Sequence, residues 1–177
     1  EEIERLFNKS DLSKLFPAMA DLKDRPKFGP LNVYDHTLLM IKLTECIEKD
    51  DVAGFSEGKG GWNINTKAGR KLFQKYVSMF SDLTQNGKDK KMRMFIYFVV
   101  LFHDIGEVKH KQKHHIFSAK WVTKRMGLIG FSKGEVEKAR RIIAAHVDLG
   151  TLFVSGRSPE YLQSDHSLGI AGMDEGK

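Results

Sequence analysis

The chain of 177 residues has a single cysteine, Cys46, so no intramolecular disulfide framework is available and a reducing compartment fits best. We read Cys46 as a small core residue. Its longest apolar run, Met94 to Phe102, is far short of the roughly 20 residues that a membrane-spanning helix needs. The N-terminus, Glu1-Glu2-Ile3-Glu4-Arg5, lacks the basic-then-apolar order of a signal peptide, and the expected location is the cytoplasm, with no membrane partner. No alternating strand pattern and no internal repeat is present. The segment Gly54…Gly58-Lys59 is one residue short of a phosphate-binding Walker loop and continues with Gly60, which excludes that motif.

What remains is helical period. Residues 2–16 read as one or two short amphipathic helices, and Pro17 ends them. Residues 21–33, with Pro26, Gly29 and Pro30, are an irregular connection. Helices are expected from about Val33 to Lys49 (Asn32 as N-cap), Thr66 to Leu83, Lys91 to Ile105, His114 to Met126 (Gly127 as C-cap), and from Ser132 to His146. Glu135, three residues after Ser132, completes a capping box. Residues 50–65 read as a long glycine-rich surface loop. A turn around Gly150 precedes a last helix, starting near Pro159, that carries Asp165. The expected fold is an all-α globular helical bundle, one domain over residues 1–177. The missing initiator methionine and the tail Asp174-Glu175-Gly176-Lys177 fit a module of a longer protein.

Helical spacing puts a histidine on the apolar side of four of these helices. His36 falls on the side of Leu39, Met40 and Leu43; His103 on that of Ile96, Val99 and Val100; and His146 on that of Ala139, Ile142 and Ile143. In the fourth helix His115 shares a face with Ala119, Val122 and Met126, so His115 rather than His114 is expected to face in. One inward histidine is ordinarily a satisfied core residue. Four, with Asp104 beside one of them and Asp165 downstream, would each need a separate partner indoors, and a shared metal centre satisfies them together. Imidazole and carboxylate without thiolate suit Fe, Mn, Ni, Co, Zn or Mg. Such an ion lowers the pKa of bound water toward neutrality, which suits phosphate-ester hydrolysis. The formal charge of +6 and a pI near 9.3 fit an anionic partner. The basic stretch Lys109-His110-Lys111-Gln112-Lys113-His114-His115 lies beside the His-Asp pair.

The segments Asn32-Val33-Tyr34-Asp35-His36-Thr37-Leu38 and Leu101-Phe102-His103-Asp104-Ile105-Gly106, followed by His115 with Ser118-Ala119, His146 and Asp165, resemble the HD-domain superfamily of metal-dependent phosphohydrolases. The order His…His-Asp…Asp is that family's signature. The opening Leu15-Phe16-Pro17 and the tail Asp165-His166-Ser167-Leu168 are similar to the HD region of tRNA nucleotidyltransferases and poly(A)-polymerase-like proteins. The resemblance spans residues 14–172, with the ligand-bearing core at about 32–172. It implies that His36, His103, Asp104 and Asp165 hold a first divalent ion and that His115 and His146 contribute to a second, with Asp104 placed to bridge them. It also implies hydrolysis of a phosphomonoester or phosphodiester of a nucleotide or RNA, with Asp104 in a catalytic role; from the basic stretch, Lys109 is expected to join it in catalysis, and Lys109, Lys111 and Lys113 are expected on the substrate phosphate. The sequence departs from the pattern at Glu107, where the family commonly has lysine, and Asp148 competes with Asp165 as the distal carboxylate. The alternative is a non-catalytic RNA-holding module of a nucleotidyltransferase-type protein.

Overall fold

A computed structural model describes residues 16–27, 31–57 and 64–155. The expected helices at 2–16 and beyond Pro159, and with them Asp165, lie outside the described residues. Among those described the fold is all-α, with no strand beyond an isolated bridge between Pro26 and Asn32. A 3₁₀ turn, Pro17–Leu22, leads to helix α1 (Val33–Glu48), short α2 (Val52–Glu57), α3 (Lys67–Leu83) and α4 (Lys90–Phe102). A second 3₁₀ turn, Ile105–Val108, then α5 (His114–Met126), a third turn (Gly127–Ile129) and α6 (Lys133–Ser155) complete it. No described helix is long and apolar enough to cross a membrane.

Local chemistry sets these boundaries. Asn32 accepts from the Asp35 N–H at 2.7 Å, Thr66 from Gly69 at 3.0 Å and Asp89 from Met92 at 2.8 Å, each side chain taking one otherwise unsatisfied donor of a first turn. The expected capping box is present: the Glu135 N–H meets Ser132 Oγ at 3.3 Å, and Glu135 Oε2 accepts from the Ser132 N–H at 2.7 Å.

Helix α4 is central, as its apolar second half requires. Phe95, Tyr97, Leu101 and Phe102 are buried. Phe102, fully buried, has Phe16 edge-on at 5.0 Å and Phe98 and Trp121 each at 4.5 Å between ring centroids. Around it Met19, Leu22, Val33, Val122, Met126, Ala139 and Ile143 close the main core. A second core joins Leu43 and Cys46 of α1 to Phe55, Ile64 and Phe73.

Three elements differ from the sequence reading. Residues 50–65 are not all surface loop: α2 forms there, with Phe55 buried edge-on to Phe73 at 5.0 Å. Gly54 serves close packing, since a Cβ on it would lie 3.2 Å from Cys46 Sγ and 2.3 Å from Asp51 Oδ2. Helix α4 ends at Phe102, and Ile105 begins a 3₁₀ turn that changes the chain's direction directly after His103 and Asp104. Helix α6 continues through Gly150 to Ser155, because one interior glycine costs only about 1 kcal/mol and does not halt propagation.

Candidate metal centre

The centre is assembled around Asp104, which is 1 % exposed. Its two carboxylate oxygens face two groups of imidazoles. Oδ2 lies 3.1 Å from His103 Nε2 and 3.5 Å from His36 Nε2. Oδ1 lies 3.1 Å from His114 Nε2 and 3.2 Å from His146 Nε2. Two triads capable of holding a metal, His36–His103–Asp104 and Asp104–His114–His146, therefore share one carboxylate. They draw on the first turn of α1, the end of α4, the start of α5 and the middle of α6.

Three of the rings are oriented in the same way. His103 Nδ1 is 2.7 Å from the Val100 carbonyl, His114 Nδ1 2.6 Å from that of Lys111, and His146 Nδ1 2.6 Å from that of Ile143. A carbonyl only accepts, so each Nδ1 carries the hydrogen, and in the neutral ring each Nε2 presents a lone pair to the centre. His114 Nε2 and His146 Nε2 are 3.1 Å apart. Lone pairs converging at such distances need a proton or a metal ion between them. Donors bound at about 2.0–2.2 Å to one ion and set at right angles to each other are about 3 Å apart, which is the spacing here. The residues present therefore fit a divalent ion in either triad.

The charges agree with that fit. Burial, with His103 alongside, pushes His36 down to about 4, so its imidazole is neutral, the form that ligates. Burial opposes ionisation of Asp104, but His103, and hydrogen bonds from His103, His114 and His146 when Nε2 as well as Nδ1 carries a proton, more than offset it and hold the carboxyl well below its usual range. Burial likewise works against a charged His114, yet its bonds to Asp104 and to the Lys111 carbonyl raise its pKa.

Gly106 makes the close approach of α5 possible. Its N–H donates to Ser118 Oγ at 2.8 Å. A Cβ there would lie 2.1 Å from the His114 carbonyl oxygen and 2.6 Å from the Ser118 nitrogen. The small residue after His103-Asp104 thus lets the first turn of α5 press against the carboxylate.

That contact corrects one expectation. His114, buried and on the same side as Ser118, joins Asp104; His115 is in neither triad, and its ring stands edge-on to His114 at 5.8 Å between centroids. The apolar residues Ala119, Val122 and Met126 define a face wide enough to admit either histidine. What selects His114 is its i, i+4 relation to Ser118, the residue that meets Gly106. That contact is tertiary, so helical period alone carries no signal for it.

Lys109, Lys111 and Lys113 are exposed, and none of their ammonium groups pairs with Asp104; Lys111 Nζ reaches the Pro26 carbonyl at 3.5 Å. The ammonium at the centre belongs instead to Lys27, which sequence reasoning missed because it lies in an aperiodic connection. Its Nζ is 2.7 Å from Asp104 Oδ2 and 2.5 Å from Glu107 Oε1. Burial disfavours the charged amine, but Asp104 and Glu107 raise its pKa and keep it an ammonium. Glu107 is 4 % exposed, and a buried anion requires a cation nearby. Asp165 lies outside the described residues, as does the side chain of Asp148. The chain matches no protein-family model, no curated protein and no solved structure.

Proposed function

We propose that this chain is an HD-type, metal-dependent phosphohydrolase acting on a phosphomonoester or phosphodiester of a nucleotide or nucleic acid. One or two divalent ions would be held by His36, His103 and Asp104 and by Asp104, His114 and His146. The observation that carries this reading is the shared carboxylate. Four Nε2 atoms approach the two oxygens of one buried Asp104 at 3.1–3.5 Å, three of them on rings fixed by their Nδ1–H bonds. A divalent ion there supplies a Lewis acid for a phosphoryl oxygen and lowers the pKa of bound water.

The chain's own residues do the rest. The backbone carbonyls of Val100, Lys111 and Ile143 fix the ring orientations, a support that holds ligand geometry in metal sites. Asp104 brings both triads to one place, so ions held there would act on the same phosphate ester. The net charge of +6, with exposed Lys109, Lys111 and Lys113 following the 3₁₀ turn, favours approach of an anionic substrate.

The test is hydrolysis of bis(p-nitrophenyl) phosphate and p-nitrophenyl phosphate by protein loaded with Mn²⁺, Fe²⁺, Co²⁺, Ni²⁺, Zn²⁺ or Mg²⁺, alongside His103→Ala. Metal-dependent turnover that disappears in the variant, with its helical circular dichroism intact, is expected. Absence of turnover with every ion, together with salt-sensitive RNA binding, would replace this reading with the RNA-holding module.

A further inference from the structure

The two halves of the cluster are electrostatically unlike. Oδ1 of Asp104 faces two imidazoles, His114 at 3.1 Å and His146 at 3.2 Å. Oδ2 faces two imidazoles and an ammonium, and the ammonium is the nearest of the three: Lys27 Nζ at 2.7 Å, against 3.1 Å for His103 and 3.5 Å for His36. The same ammonium lies 2.5 Å from Glu107 Oε1. An ion in the Oδ2 half would share its carboxylate oxygen with a fixed positive charge in a largely dry setting, where Coulomb repulsion changes affinity severalfold or more.

Lys27 is held in position by contacts other than its own charge. Arg25 donates to the Val108 carbonyl at 3.2 Å, and the Val33 N–H donates to the Arg25 carbonyl at 2.8 Å. The Lys27 N–H donates to the Leu31 carbonyl at 2.9 Å, next to the bridge between Pro26 and Asn32. The connection is thus fastened to the Ile105–Val108 turn by Arg25 and to residues 31–33 by its backbone, and it delivers the ammonium to Asp104.

We propose that Lys27 is a resident cation of the Oδ2 half of the centre. It neutralises Asp104 and Glu107 while that half holds no metal, and it must withdraw from Asp104 onto Glu107 for an ion to enter. This rests on reading the cluster as a metal centre. The consequence is ordered loading: the Asp104–His114–His146 half fills first, and the His36–His103–Asp104 half fills more weakly because an internal ammonium competes for its carboxylate oxygen. Glu107, in the position where lysine was expected from the family resemblance, is the second anchor that receives the displaced ammonium.

Calorimetric titration of the metal-free protein with Mn²⁺ tests this. Wild type is expected to bind in two unequal steps. Lys27→Met, which keeps length and removes charge, should tighten the weaker step on the order of tenfold and leave the stronger step nearly unchanged; Lys27→Arg should behave as wild type. Glu107→Gln, which removes one of the two anionic anchors seen among the described residues, should selectively weaken the second step, and it decides the matter alone if Lys27→Met does not fold. A second step unchanged or weakened in Lys27→Met, or unchanged or tightened in Glu107→Gln, overturns the role of Lys27 while the metal centre stands. No Mn²⁺ binding by wild type or any variant overturns the metal centre itself, and the role of Lys27 with it.

Discussion

His114 and His146 direct Nε2 atoms at each other across 3.1 Å, and each donates its Nδ1–H to the carbonyl three residues earlier in the chain. Two ring nitrogens so oriented make a repulsive contact unless a proton or a metal ion lies between them, and Asp104 Oδ1, 3.1–3.2 Å from both, completes the set of donors. The pair is built to hold something positive.

The neighbouring histidines of α5 therefore differ in consequence. His114→Ala should lower the affinity for Mn²⁺ at the Oδ1 half by at least about tenfold, since losing even a supporting partner of a ligand commonly costs 10–100-fold. His115→Ala should leave it within about threefold of wild type. Titrations of the two variants side by side check this, and the reverse order would return His115 to the place expected from the helical pattern.

Gly106→Ala should destabilise the fold and loosen the centre together. The new methyl would meet backbone atoms of His114 and Ser118 at 2.1 and 2.6 Å, so α5 has to move as a body. Overpacking of this kind costs about 1–3 kcal/mol, and for a chain of this size each kcal/mol lowers Tm by roughly 2–4 °C. Thermal melts of variant and wild type measure it. An unchanged Tm would mean that α5 does not press on Gly106.

Much of this arrangement was legible in the sequence and some was not, for identifiable reasons. Helices α1, α3, α4 and α5 follow apolar period, and the caps at Asn32 and Ser132 mark their helices because short polar side chains there satisfy free backbone N–H groups. His36, His103 and His146, placed on apolar faces by helical period, converge with Asp104, the neighbour of His103. His114 was passed over because apolar period sees only the face of a helix, and the deciding contact, Gly106 on Ser118, is tertiary. Lys27 belongs to a connection with no period at all, and Phe55 is buried by a one-and-a-half-turn helix too short to show one.

Away from the centre, Tyr97 gives the fold a weakness at high pH. Burial and the hydrogen bond of 2.6 Å to Glu48 push its hydroxyl pKa above the ordinary phenol range. The folded protein keeps a proton that the unfolded chain releases near pH 10. The contribution is therefore fully present below about pH 10 and is lost as pH rises further. Tyr97→Phe should cost about 1–2 kcal/mol at neutral pH, because a hydrogen bond to a charged acceptor is lost while Arg93 still pairs with Glu48. It should also flatten the loss of stability above pH 10. Urea unfolding from pH 7 to 11 compares the two slopes, and parallel curves would remove Tyr97 from the account.

The most direct measurement is the number of Mn²⁺ equivalents retained at equilibrium dialysis by wild type and by Asp104→Asn, which keeps the shape of the shared residue and removes its charge. One carboxylate serving both triads predicts up to two equivalents in wild type and loss of both in the single variant. Full retention of metal by Asp104→Asn, or none bound by wild type, would contradict a centre organised on Asp104.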